Sequence, residues 1–108
     1  MAEGPITLTV GQTTVASIDG YDQYGNAWTG PIPTPLWSID QPTFDGIAVD
    51  ATNPGNEDVT SLAAGTANIT ASLTNAEGVV LTDTEAITNL AQAPRLSSIK
   101  INFAAPTP

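Results

Sequence analysis

A chain of 108 residues with a net charge of −9 has the size of one β-sandwich and is too short for two ordinary cores. It holds neither histidine nor cysteine, which removes histidine-based triads, thiol nucleophiles, ordinary zinc and haem sites and any disulfide framework. Arg95 and Lys100 are the only cations against eleven acids, so residues 1–94 carry every negative charge and no positive one; such a balance repels phosphate backbones and anionic lipid, and excludes nucleic acid and membrane surfaces as partners.

Sixteen Thr, nine Ile and six Val suit a pleated sheet and disfavour helix. Fifteen Ala and only six aromatic residues imply a thin core. The first strand is predicted over residues 6–10, where Ile6, Leu8 and Val10 alternate with Thr7 and Thr9 and Gly11-Gln12 ends the run. A second strand is expected from Thr13 to Asp19; Val15 and Ile18 lie three apart, so burying both requires a bulge. Residues 19–28 hold Gly20, Gly25 and several acids and amides, and read as a loop or hairpin tip. Pro31, Pro33 and Pro35 cannot donate ladder hydrogen bonds, which keeps that stretch at an edge or in a crossover.

A third strand places Trp37 and Ile39 toward the core, residues 46–50 form a short fourth, and Asn53-Pro54-Gly55-Asn56 is a turn. A fifth strand runs from Val59 to Ala63. The sixth is the clearest in the chain: Ala67, Ile69, Ala71 and Leu73 share one face, and Thr66, Asn68, Thr70 and Ser72 share the other. Asn75-Ala76-Glu77-Gly78 then turns the chain, with Gly78 left-handed, into a seventh strand from Val79. The expected core is Leu8, Trp37, Ile39, Ile69, Leu73 and Leu81. Residues 96–103 add a further amphipathic pattern, with Ile99, Ile101 and Phe103 on one face, set off by Pro94. The organisation expected is a β-sandwich over residues 1–90 and a C-terminal strand or docking arm over residues 91–108.

Three phrases occur in order: Leu8-Thr9-Val10-Gly11-Gln12, Trp37-Ser38, and Leu62-Ala63-Ala64-Gly65-Thr66-Ala67-Asn68-Ile69-Thr70-Ala71. Together they resemble the bacterial immunoglobulin-like repeat of the group 2 type, and Asp22-Gln23-Tyr24-Gly25-Asn26 is similar to a turn of the related intimin and invasin repeats. The resemblance implies an all-β, immunoglobulin-like sandwich of about seven strands, a module found in bacterial adhesins and on phage capsids, tails and fibres, with no catalytic residues. The chain departs from the pattern at Pro31–Pro35, around Asn53–Asp58 and after Leu90. The phrase Ser97-Ser98-Ile99-Lys100-Ile101 also looks like the opening of a further repeat.

No catalytic or cofactor-binding residue is expected, and no cofactor. Asp19, Asp22 and Asn26, with Asp40, Asp45 and Asp50, are oxygen donors of the kind calcium takes, but their spacing is that of turn acids and no metal site is assigned. Lys100 is the one lysine, so an internal isopeptide bond is confined to the tail and discounted. Two recognition surfaces are expected: Arg95, Ile99, Lys100, Ile101 and Phe103 toward a protein partner, a capsid or other virion subunit in a multimeric assembly; and Tyr21, Tyr24 and Trp28 toward a protein or a cell-surface glycan.

Met1-Ala2-Glu3-Gly4-Pro5 lacks the basic start of a secretory signal, and no segment is long and apolar enough for a bilayer. The leading expectation is a capsid decoration protein in the virion, which leaves by cell lysis. Its rival is a spacer or carbohydrate-binding repeat excised from a bacterial surface adhesin or surface enzyme.

Overall fold

The computed structural model describes residues 3–108. Seven strands run in chain order: β1 (Ile6–Thr9), β2 (Thr13–Ala16), β3 (Leu36–Ile39), β4 (Asp45–Val49), β5 (Glu57–Ser61), β6 (Gly65–Thr74) and β7 (Val80–Leu90), with no helix among the described residues. They form two sheets, of order β1-β7-β6-β3 and β2-β5-β4. Every pairing is antiparallel except that of β1 with β7, where Ile6 to Thr9 run parallel to Ile87 to Leu90. The fold is therefore all-β, and its two sheets are consistent with a β-sandwich.

Local chemistry sets the two hairpins. Asn75 Oδ1 accepts the backbone N–H groups of Glu77 (3.0 Å) and Val79 (2.9 Å), and Gly78 takes φ +79°, as its position requires. The turn closes with Asn75 N–H donating to Val79 O at 2.9 Å, which fixes Thr74 opposite Val80 and the register of the whole β6–β7 pair. Between β4 and β5 the chain turns through Asn53–Asn56, where Asn56 N–H donates to Asn53 O at 2.8 Å.

Leu8, Val59, Ile69 and Ile87 are the buried core, with Ala16, Trp37, Ile39 and Ile47 packed on it. Both sheets contribute, and Ala67 is fully buried beside them. Of the six core residues expected, Leu8 and Ile69 are buried, while Trp37, Ile39 and Leu73 are half-buried. Leu81 is the correction: it lies opposite Leu73 on the inward side yet is 50% exposed. The reason is length. β6 and β7 have 10 and 11 residues against 4 or 5 in the facing strands, so the end of the hairpin extends past its cover.

Two further differences concern boundaries. β2 stops at Ala16, with Ala16 inward and Val15 outward, so no bulge is needed to bury Val15. Residues 91–108 form no strand and are exposed throughout, so an additional C-terminal strand does not form within the chain. An extended segment of that length spans up to about 60 Å, in keeping with a molecule of 89 × 25 × 22 Å.

Candidate functional site

The tail begins where β7 ends. Val10 N–H donates to Leu90 O at 2.9 Å and Gln92 Nε2 donates to Val10 O at 2.8 Å; beyond Gln92 no hydrogen bond ties the segment to any described residue. Ile99, Ile101 and Phe103 are 80–90% exposed, and Arg95 and Lys100 are exposed beside them. Backbone N–H and C=O groups over this length pair with no described residue, and an apolar side alternates with Ser98, Lys100 and Asn102.

The aromatic loop is a small hairpin. Tyr21 bridges Ala27, Asp22 N–H donates to Asn26 O at 2.8 Å, and Asp22 Oδ1 accepts the N–H groups of Tyr24 and Asn26, both at 2.9 Å. Gly25 supplies the left-handed residue at φ +81°. Tyr21 and Trp28 flank a shallow hollow of about 230 Å³ with Ile18, Asp19 and Ile32, smaller than ordinary small-molecule pockets of ~300–1,000 Å³. Trp28 is half exposed, its Nε1 donates to Pro31 O at 3.1 Å, and its ring lies so close over Gly30 that a Cβ there would meet Cζ2 at 2.9 Å. Tyr21 donates its hydroxyl to Glu3 Oε1 at 2.6 Å; that hydrogen bond, with the nearby negative charge, raises the phenol above its ordinary range. Tyr24 stands apart at the turn tip and does not line the hollow. The structure therefore brings together two of the three aromatic residues.

The acids considered as cation ligands are dispersed. Asp22 serves its own turn, Asp50 Oδ1 accepts Thr52 N–H at 3.2 Å, and both carboxylate oxygens of Asp40 are held by Asn68 through N–H (2.7 Å) and Nδ2 (3.0 Å). Those donors pull the Asp40 carboxyl below the ordinary range. Among the described residues no cluster of three metal-ligating side chains occurs.

Asp45 is not a turn acid. It is fully buried at the start of β4, opposite Ser61, and its Oδ2 accepts from Asn89 Nδ2 at 2.7 Å, while the same amide donates to Gly65 O at 3.0 Å. Asp45 Oδ1, Ser61 Oγ and Asn89 Oδ1 find no partner among the described residues, and burial raises the Asp45 carboxyl while the Asn89 hydrogen bond opposes that rise. This polar group joins the two sheets at one end of the core. The sequence signal for it was phase: Asp45, Ser61 and Asn89 continue the inward faces of Ile47, Val59 and Ile87. No lysine is present in residues 1–94 to react with the buried Asn89 amide.

No protein-family model matches the chain, and no curated protein matches it.

Proposed function

We propose that the chain is a non-enzymatic, immunoglobulin-like assembly module, acting as a decoration protein on a phage capsid and holding its neighbour through residues 95–108. The observation that carries this reading is the tail: an exposed alternating segment that has Ile99, Ile101 and Phe103 on one side and the chain's only cations, joined to a body that carries all eleven acids. Segments of this kind gain affinity by adding a strand to an exposed sheet edge. The strand order supports the immunoglobulin-like part. Lettering β1 to β7 as A to G gives sheets BED and CFG, as in constant-type domains, with A moved beside G.

The test is whether a phage capsid gene lies beside the gene for this chain and whether shells assembled from that capsid protein retain the chain. The full chain is expected to cosediment with the shells and a chain lacking residues 95–108 to remain in solution while keeping its circular dichroism spectrum. A folded full chain that never cosediments overturns the reading.

A second reading, a carbohydrate-binding or spacer repeat of a bacterial surface protein, is favoured by one observation, the Tyr21–Trp28 hollow with a half-exposed indole. It predicts quenching of Trp fluorescence by glycans, abolished in Tyr21→Ala.

A further inference from the structure

We propose that residues 96–103 of one copy add as an edge strand along β2 of a second copy, making a head-to-tail contact between identical chains. This rests on the reading of the tail as an assembly strand, and it assigns that strand both a partner and a slot.

The slot is identified by comparing the four sheet edges. In a constant-type sandwich the first strand lies beside the second, in the order ABED. Here β1 lies beside β7 in the other sheet, and the three-stranded sheet ends at β2, with no strand among the described residues paired to the outer side of Thr13–Ala16. Natural edges are protected by proline and charge. β1 follows Pro5, β3 lies between Pro35 and Asp40, and β4 is followed by Asp50. Residues 11–18, which contain the four-residue β2, hold neither a proline nor a charge.

Chemistry fits the same slot. With Ile99, Ile101 and Phe103 turned inward beside Ala16, which already packs on the core, Lys100 falls on the outward face with Val15. Val15 is paired with Asp58 on β5, and Ala16 with Glu57. Asp58, on the outward face with Val15, has no side-chain cation within residues 1–94 to offset it, whereas Glu57 is buried on the inward face with Ala16; the tail carries both of the chain's cations. A tail that leaves its own body as an exposed extension is also placed to meet a neighbour, and a contact between two different surfaces of identical chains propagates unless it closes into a ring.

A chain without cysteine allows a direct test. Val15→Cys (β2), Thr7→Cys (β1), Ser38→Cys (β3) and Ala48→Cys (β4) each place a thiol on an exposed outward position of one edge. Each is mixed with full-length Asn102→Cys or Ser98→Cys and oxidised gently. Strand pairing raises the local thiol concentration toward the millimolar range, so the Val15→Cys mixture is expected to give roughly ten-fold more mixed disulfide than the other three. Sedimentation of the unmodified chain is expected to show association that grows with concentration, weakens with salt, and is lost in the double variant Ile99→Asp/Ile101→Asp. Equal yields at all four edges, preference for another edge, or a disulfide forming within single dilute chains of Val15→Cys/Asn102→Cys overturns the proposal. A chain that stays monomeric at several hundred micromolar yet still binds its shell overturns this inference and leaves the decoration reading standing.

Discussion

Asn89 shows how one side chain governs a buried charge. Its amide is the only side-chain donor to Asp45 among the described residues, so Asn89→Ala leaves a buried carboxylate without that hydrogen bond and is expected to cost about 1–3 kcal/mol at pH 7. The sign of the pH dependence follows from the direction of the shift. Burial holds the folded carboxyl above its unfolded value, and loss of Asn89 raises it further. Below the unfolded value Asp45 is protonated in both states and the penalty vanishes; it grows as pH rises through the folded value. Loss of the Asn89–Gly65 hydrogen bond costs the same at every pH, so urea unfolding of Asn89→Ala and wild type should differ least near pH 3 and most near neutrality. Asp40 works the other way: its carboxyl is lowered by the Asn68 donors, so its contribution is present above the ordinary carboxylate range and is lost as pH falls through the folded value.

At the scale of the element, the β6–β7 hairpin is one continuous pattern with two environments. Ile87→Ala, at a position 2% exposed, is expected to cost about 2–5 kcal/mol, whereas Leu81→Ala on the overhang should cost less than about 1 kcal/mol. Trp37→Ala removes a half-buried ring that packs on the core and donates Nε1 to Gly55 O at 3.1 Å, and is expected near the lower end of the ~3–5 kcal/mol range for large aromatic truncations. Denaturant midpoints of these three variants check the order Ile87 and Trp37 above Leu81. The two glycines of β6 and its turn differ for a separate reason. At Gly78 the φ of +79° alone opposes a side chain, with nothing within 4 Å, and Gly78→Ala should cost about 1–2 kcal/mol. Gly65 combines φ +144° with the Phe44 ring 2.9 Å from where a Cβ would lie, so Gly65→Ala is expected to lower the melting temperature more than Gly78→Ala.

For the whole molecule, the division between body and tail is energetic. Residues 95–108 are exposed along their length and contribute nothing to the buried core. Their deletion is therefore expected to leave the melting temperature of the body within a degree or two of wild type, since surface changes away from packed features stay within about 0.5 kcal/mol. An unfolded truncated chain would mean that the tail closes its own sheet in solution. With an unchanged melting temperature, any loss of association on truncation reports assembly alone.

The sequence by itself determined the all-β class, the Asn75–Gly78 turn and the inward face of β6, because alternation and turn chemistry act between neighbours in the chain; the same alternation over residues 96–103 found no partner strand within the described residues. It also located the tail pattern and the aromatic loop. Tertiary structure alone decided where each inward face finds cover: Leu81 keeps the right phase but overhangs the shorter facing sheet, while Asp45, Ser61 and Asn89 are polar residues on that same phase and are drawn into a buried link between the sheets. It also decided that β1 lies beside β7 and that the three-stranded sheet ends at β2. Strand partners are fixed by packing among segments far apart in sequence, and local periodicity records which residues share a face without recording what that face will meet.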